Sequence, residues 1–163
     1  MDEITKEISK NPKNIIKIGE DTLPGCLLWM DDVLLMHTDP KQMQSMLNTT
    51  NRIADRYRIK FGTEKSKIIQ ICTKPEHMTQ YTIGESTLLN TDTYKNLGIT
   101  INKDGNLLNH IKELEGKITA TTQSIINLSN TNSLKHIQMP TTWKLYHTCV
   151  EPMLTYAAES FIT

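Results

Sequence analysis

The chain is poor in aromatic residues, at 6% of 163 positions, and has no excess of either charge, since 18 Lys and Arg balance 18 Asp and Glu. The first shortage shifts the apolar load onto Ile, Leu and Met, which still suffices for a core at this length. The second counts against a surface that binds nucleic acid unaided, because such surfaces are usually basic. It leaves room for a local basic patch. Cysteine is scarce as well. Cys26, Cys72 and Cys149 are odd in number and far apart, with no Cys-x-x-Cys pair, so reduced, partly buried thiols are expected rather than a zinc centre or a disulfide framework. No apolar run approaches the roughly 20 residues of a membrane span, and no secretory signal is recognisable. The expectation is an intracellular protein of the cytoplasm or nucleus, with no membrane partner. Asn48-Thr-Thr and Asn127-Leu-Ser match the glycosylation pattern but carry no weight there. There is no internal repeat. The length fits one domain, or one domain with a small appendage.

What the chain does have is the stretch from Gly25 to His37. Leu27, Leu28, Trp29 and Met30 precede two adjacent carboxylates, Asp31 and Asp32; Val33, Leu34, Leu35 and Met36 follow. Each apolar run has strand length and no polar alternation, so each is expected to be a strand buried on both faces. The simplest geometry is a tight hairpin with the Asp pair at its tip. Burying an unpaired carboxylate is expensive, so such a tip needs a cation, a basic side chain or solvent. The plain alternative is an Asp-rich turn with no further role.

Around this stretch the pattern is legible. Asp2–Ser9 is an amphipathic helix with Ile4 and Ile8 on one face; its abrupt start implies a preceding segment, and Asn11-Pro12 breaks it. Ile15–Ile18 is a strand, turned at Gly19–Asp21. A helix starts at Thr38–Gln42, with Asp39 as cap, Pro40 in the first position and Gln42 reaching back in a capping box. Its inner face is Met43, Met46, Leu47, Thr50, Ile53, Ala54 and Tyr57, while Lys41, Gln44, Asn51 and Arg52 face solvent. Ile59–Phe61 and Lys67–Cys72 are strands flanking a polar loop, and Tyr81–Ile83 pairs with Thr87–Leu89 across Gly84–Ser86. The next strand buries Leu97, Ile99 and Ile101 and opens Gly98, Thr100 and Asn102. From Leu107 the period is helical, with Ile111, Leu114, Ile118, Thr121, Ile125 and Leu128 forming a stripe. A last helix follows Pro140, with Trp143, Tyr146, Cys149, Val150, Met153, Leu154 and Ala157 on one face and a kink at Pro152. His37, His77, His110, His136 and His147 show no ligand spacing. Helices and strands do not alternate strictly. The expected class is α+β, an antiparallel sheet with helices on one face over residues 1–105 and a helical segment over 106–163.

These residues carry a family resemblance. Trp29-Met30-Asp31-Asp32-Val33 resembles the aromatic-x-Asp-Asp box of reverse transcriptases, and Asp39–Met43 onward the helix after it. Ile59–Lys67 is similar to the family's Leu-Asn-x-Glu-Lys-Thr-Lys segment. Tyr94-Lys95-Asn96-Leu97-Gly98 resembles the Tyr-x-x-Leu-Gly of the primer-grip hairpin. Asn109-His110-Ile111, Leu145-Tyr146 and Pro152 through Glu159 resemble the thumb side of non-LTR (LINE-like) retrotransposon enzymes. The box and four downstream segments in order, over most of the chain, make the pattern specific. It departs from the family at Met30, where non-LTR enzymes usually have Ala, at Ala157 for a common Gly and at Phe161 for a common Trp. The family's first catalytic Asp and its Gln-Gly turn have no counterpart, and neither Asp2 nor Glu3 takes over that Asp.

The resemblance implies a palm-type antiparallel sheet with an Asp-Asp hairpin (1–105) and the start of a helical thumb (106–163). It implies template-directed nucleotidyl transfer, DNA synthesis on an RNA template from a DNA primer, with two Mg²⁺ (or Mn²⁺) ions bound once the remaining N-terminal part of the polymerase is present. Asp31 and Asp32 would be the metal ligands and, with Lys65 toward the pyrophosphate, the catalytic groups. Tyr94, Leu97 and Gly98 would hold the primer terminus. Lys67 would contact nucleic acid or substitute for Lys65, and Lys112 and Lys117 would be phosphate contacts. The chain alone would be inactive. The alternative is a non-catalytic retroelement-derived remnant acting as a binding or interaction module.

Overall fold

The first helix, α1 (Asp2–Ser9), buries Ile4 and Ile8, one turn apart on its inner face. In this computed structural model, which describes residues 2–71, 74, 77–130 and 139–156, α1 opens the first of two compact units, Met1–Thr91 and Asp92–Thr163. The class is α+β, built of helices and two-stranded ladders. Asn11 ends α1 by accepting the Lys13 N–H at 3.0 Å, which caps a 3-10 turn over Pro12–Asn14. Strands β1 (Ile15–Ile18) and β2 (Asp21–Pro24) pair antiparallel with Ile18 opposite Asp21, and Gly19 supplies the left-handed φ of +62° that the turn between them needs. Gly25 separates β2 from β3 (Cys26–Trp29), which pairs antiparallel with β4 (Asp32–Leu35).

Helix α2 (Pro40–Arg56) organises this unit. Asp39 accepts the Lys41 N–H at 2.9 Å and Pro40 occupies the first turn. The capping box expected through Gln42 does not form, because the Asp39 N–H donates instead to His37 Nδ1 at 2.8 Å. Met46 and Ile53 pack with Ile4, Ile8 and Cys26; Leu47 packs with Ile68, Tyr81, Ile83 and Leu88. Leu35 and Phe61 touch both clusters, so the helix has apolar neighbours on two sides. Tyr57, expected on that face, is 54% exposed, because it stands beyond the last helical turn. Arg58 then takes φ +58° and the Ile59 N–H returns to the Ala54 carbonyl at 2.8 Å. That stop occupies the donor a strand at Ile59–Phe61 would need, and the segment is not a strand; Phe61 serves as packing.

The remaining strands of this unit are two residues long. β5 (Lys67–Ile68) pairs parallel with β8 (Leu89–Asn90), and β6 (Thr82–Ile83) antiparallel with β7 (Ser86–Thr87). The strand expected over Lys67–Cys72 stops at Ile68, and Cys72 lies outside the described residues. Side-chain amides take the place of neighbouring strands. Gln44 accepts the Thr82 N–H at 3.1 Å and donates to the Thr82 carbonyl at 2.8 Å; Gln70 does the same to Thr79 at 2.9 and 2.7 Å. Gln44, expected in solvent, is therefore half-buried and structural.

In the second unit β9 (Thr93–Asn96) and β10 (Ile99–Asn102) form a hairpin with Tyr94 opposite Ile101 and Asn96 opposite Ile99. Helix α3 (Leu108–Asn130) covers it, and the covered face is the reverse of the one expected. Thr100 and Asn102 are buried, while Ile99 and Ile101 are only half-buried and Leu97 is exposed. The polar face is satisfied by α3. The Thr100 N–H donates to His110 Nδ1 at 3.3 Å, the Thr100 hydroxyl to Glu113, and Asn109 Nδ2 to Asn102 Oδ1 at 3.1 Å. Accordingly α3 buries His110 and Ile125 and half-buries Leu114, Ile118 and Thr121, leaving Ile111 and Leu128 exposed. The last helix comprises α4 (Met139–Leu145), a π turn (Tyr146–Val150) and α5 (Glu151–Thr155). The π turn sits immediately before Pro152 and widens the coil where the ring would meet the Thr148 carbonyl. Val150 is buried against α3, but Trp143 and Tyr146, expected on the same face, are exposed at 63% and 36%. Ala157 lies outside the described residues.

Candidate functional site

The β3–β4 ladder places the two carboxylates. Cys26 pairs with Leu35, Leu27 with Leu34, Leu28 with Val33 and Trp29 with Asp32, so the chain reverses through Met30 and Asp31 alone. Residues opposite one another share a face. Cys26, Leu28, Val33 and Leu35 thus form the inner face, and Leu27, Trp29, Asp32 and Leu34 the outer. Leu27 and Trp29 are 46% and 60% exposed. The expectation of strands buried on both faces is corrected on this point: α1 and α2 cover one face only. Met30 has φ +54°, whereas Asp31 is not among the left-handed residues. This matches a two-residue turn of type II′, where glycine is the usual first residue. A side chain held there costs about 1–2 kcal/mol, which the flanking ladder must offset. Asp31 and Asp32 are both exposed, so the tip is solvated and no burial penalty arises.

The base of this hairpin is fixed by backbone contacts. Buried Gly25 donates to the Asn14 carbonyl at 2.9 Å and accepts from the Met36 N–H at 2.7 Å. His37 holds the exit from β4, with Nδ1 accepting from Asp39 and Nε2 donating to the Lys13 carbonyl at 2.8 Å. Sequence reasoning assigned His37 nothing. The signal was its place two residues before a capping Asp, where an imidazole can take the cap's own N–H.

Lys65 is exposed in a turn closed by the Lys65 and Ser66 N–H groups on the Gly62 carbonyl, at 2.9 and 3.0 Å. Lys67 is half-buried and opens β5 opposite Leu89. Asp31, Asp32, Lys65 and Lys67 all belong to the first unit; Tyr94, Leu97 and Gly98 belong to the second.

In that second unit β9 and β10 are joined by Leu97 and Gly98 alone, and both have positive φ, +46° and +86°. This is the pattern of a type I′ turn, which favours Asn-Gly or Gly-Gly. Of the three side-chain-bearing residues with positive φ among those described, Met30 and Leu97 are hairpin tips and Arg58 ends a helix. Tyr94 is 37% exposed on the face with Ile99 and Ile101. On the other face an open depression of about 470 Å³ is lined by Thr93, Thr100, Asn109, Lys112 and Glu113. Lys95 reaches Glu113 at 3.6 Å, so mixed charge rather than a basic surface marks this side. Lys117 is exposed on α3.

As for metal, the Asp31–Asp32 pair is the right donor type for Mg²⁺, which commonly takes one or two carboxylates and completes its shell with water and phosphate oxygens. Among the described residues no group of three or more His, Cys, Asp or Glu side chains converges. The pair would fit a shared ion whose other ligands come from elsewhere. No family model, curated protein or solved structure matches the chain. Among the described residues no helix is long and apolar enough to cross a membrane.

Proposed function

We propose that this chain is the later part of a reverse transcriptase domain of non-LTR retrotransposon type, with residues 1–105 from a palm-type sheet and 106–163 from the start of a thumb. The observation that carries the reading is the β3–β4 pairing. Two apolar strands leave only Met30 and Asp31 to turn the chain and present both carboxylates to solvent, next to an aromatic residue, as the resemblance requires. In the complete enzyme Asp31 is the principal metal ligand, and Asp32 shares the charge and orients. Bound Mg²⁺ or Mn²⁺ would supply charge neutralisation at the attacking 3′ oxygen and the departing pyrophosphate. Lys65, with Lys67 as its alternative, meets the pyrophosphate or the nucleic-acid backbone. Tyr94, Leu97 and Gly98 hold the primer end against an RNA template. The protein works inside the cell, together with the N-terminal part of the polymerase.

A second reading is a retroelement-derived remnant that binds without catalysing. The two-carboxylate count among the described residues favours it for the chain on its own. Mn²⁺ titration tests the metal site. Paramagnetic broadening at the Met30–Asp32 amides is expected in the parent and lost in Asp31→Asn/Asp32→Asn; equal broadening in both sinks the assignment. Extending the reading frame upstream separates the two readings. An Asp on an apolar strand followed by a Gln-Gly turn supports the enzyme, and a stop codon with no such segment supports the remnant.

A further inference from the structure

The hairpin turn at Leu97-Gly98 is held from outside the sheet. Tyr156, the first residue beyond α5, leaves the helix in an extended conformation with its own N–H still bonded to the Pro152 carbonyl. Its hydroxyl donates to the Leu97 carbonyl, 59 residues away in sequence. Its ring lies over Gly98, where an added Cβ would stand 3.3 Å from Tyr156 Cε1 and 3.6 Å from the hydroxyl oxygen. Gly98 is therefore favoured by φ +86°, and a side chain there would also press the Tyr156 ring back by a few tenths of an ångström. Leu97, by contrast, occupies a left-handed position that asparagine or glycine would fill with less strain. A strained turn persists only when its surroundings over-determine it, and here the surroundings are Tyr156.

We infer that Tyr156 is a positioning residue, a latch that keeps the Leu97-Gly98 turn in its left-handed conformation before any ligand arrives. Its link to primer holding rests on the polymerase reading; the latch itself does not. Tyr156 is 55% exposed and Leu97 43%, so the latched tip is accessible to a ligand. The end of the last helix thereby sets the shape of a hairpin tip formed far earlier in the chain.

The test uses the full 163-residue chain, selectively labelled at the Leu97 carbonyl carbon. In Tyr156→Phe the ring is kept and the donor removed. The Leu97 carbonyl resonance should move upfield. Amide exchange at Ile99, paired with Asn96 across the turn, should quicken by about three- to tenfold, the range of one modest hydrogen bond, while amides of α3 from Leu114 to Ile118 stay unchanged. Adding Leu97→Gly, which relieves the strain, should return the turn's exchange toward the parent rate. An unmoved carbonyl resonance, or the same acceleration throughout α3, overturns the latch. Neither measurement involves metal or nucleic acid, so a failed Mn²⁺ titration leaves this result standing, and the reverse also holds.

Discussion

Replacing Gly25 by alanine sets two opposing effects against each other at the root of the β3–β4 hairpin. Gly25 is not among the residues with positive φ. By backbone entropy alone the substitution should stabilise, by about 0.4–1 kcal/mol, because the unfolded chain loses freedom. Sterics oppose it. An added Cβ would stand 2.3 Å from the Asn14 carbonyl oxygen, 3.0 Å from that of Met36 and 3.1 Å from Met46 Cε. The Met46 end can swing aside by a few tenths of an ångström, but the two carbonyls belong to the backbone. A carbon and a carbonyl oxygen settle at about 3.3–3.6 Å, so Asn14 would have to recede by about 1 Å. That breaks the 2.9 Å bond from Gly25 to Asn14 and strains the 2.7 Å bond from Met36 to Gly25. Each bond is worth about 0.5–1.5 kcal/mol, and more where a buried group is left unpaired. The net expectation is a loss of about 2–4 kcal/mol. Equilibrium urea unfolding measures it, with hydrogen exchange locating the loss at residues 25–36. Gly116→Ala is the control. It lies within α3 with nothing within 4 Å of the new methyl, and should gain about 0.5–1 kcal/mol. A Gly25→Ala chain as stable as the parent, or more so, would refute the account of how the hairpin is rooted.

Two further expectations concern the same core. Met46 is 1% exposed among Ile4, Ile8, Cys26 and Ile53, so Met46→Ala should cost about 2–5 kcal/mol, seen as a lower urea midpoint at unchanged slope; a shift below 1 kcal/mol, on the order of a surface change, would mean the cluster is not the core. Cys26, 2% exposed and near the Thr5 hydroxyl, has its thiol pushed up by burial, with the Thr5 contact opposing. Folding therefore favours the protonated thiol. Its contribution is fully present below the unfolded thiol's pKa and is lost as pH rises through the raised folded value. Iodoacetamide at pH 8 should modify half-buried Cys149 well before Cys26, and equal rates by peptide mass mapping would contradict the burial.

The parts legible in the sequence were those where one periodicity had one outcome. Ile4 and Ile8 in α1, and Met46, Leu47, Thr50, Ile53 and Ala54 in α2, are buried as their spacing requires. The apolar runs on either side of Asp31 and Asp32 pair with each other in register. What alternation could not reveal is which face a neighbour covers. In β10 the polar face won, because Asn109, His110 and Glu113 at the start of α3 offered partners to Thr100 and Asn102, and satisfied polar groups bury at little cost. In the last helix a π turn inserts an extra residue, which advances the buried face by about 100°. Trp143, before the turn, falls out of phase with Met153 after it, and Tyr146 at the turn's first residue is exposed while Val150 at its last is buried. Of the candidate site, the pairing of the two apolar runs was readable; the turn was expected at Asp31 and Asp32 and falls instead at Met30 and Asp31, with Asp32 already in β4 opposite Trp29. Most of the supports were not readable: Gln44, Gln70 and Tyr156 act on backbone elsewhere in the chain with nothing local to mark them, and only His37, two residues before the capping Asp39, had a local signal.

The glutamines have a colloidal consequence. A short strand with free N–H and C=O groups is a template on which another molecule's strand can grow. At Thr82 and Thr79 both groups are already taken by Gln44 and Gln70. An arriving strand would have to displace a two-pronged amide from within the same molecule, at a very high effective concentration. The chain thus stoppers the β6 edge at Thr82, and the extended backbone at Thr79, with neutral side chains, and does so without shifting its balanced charge.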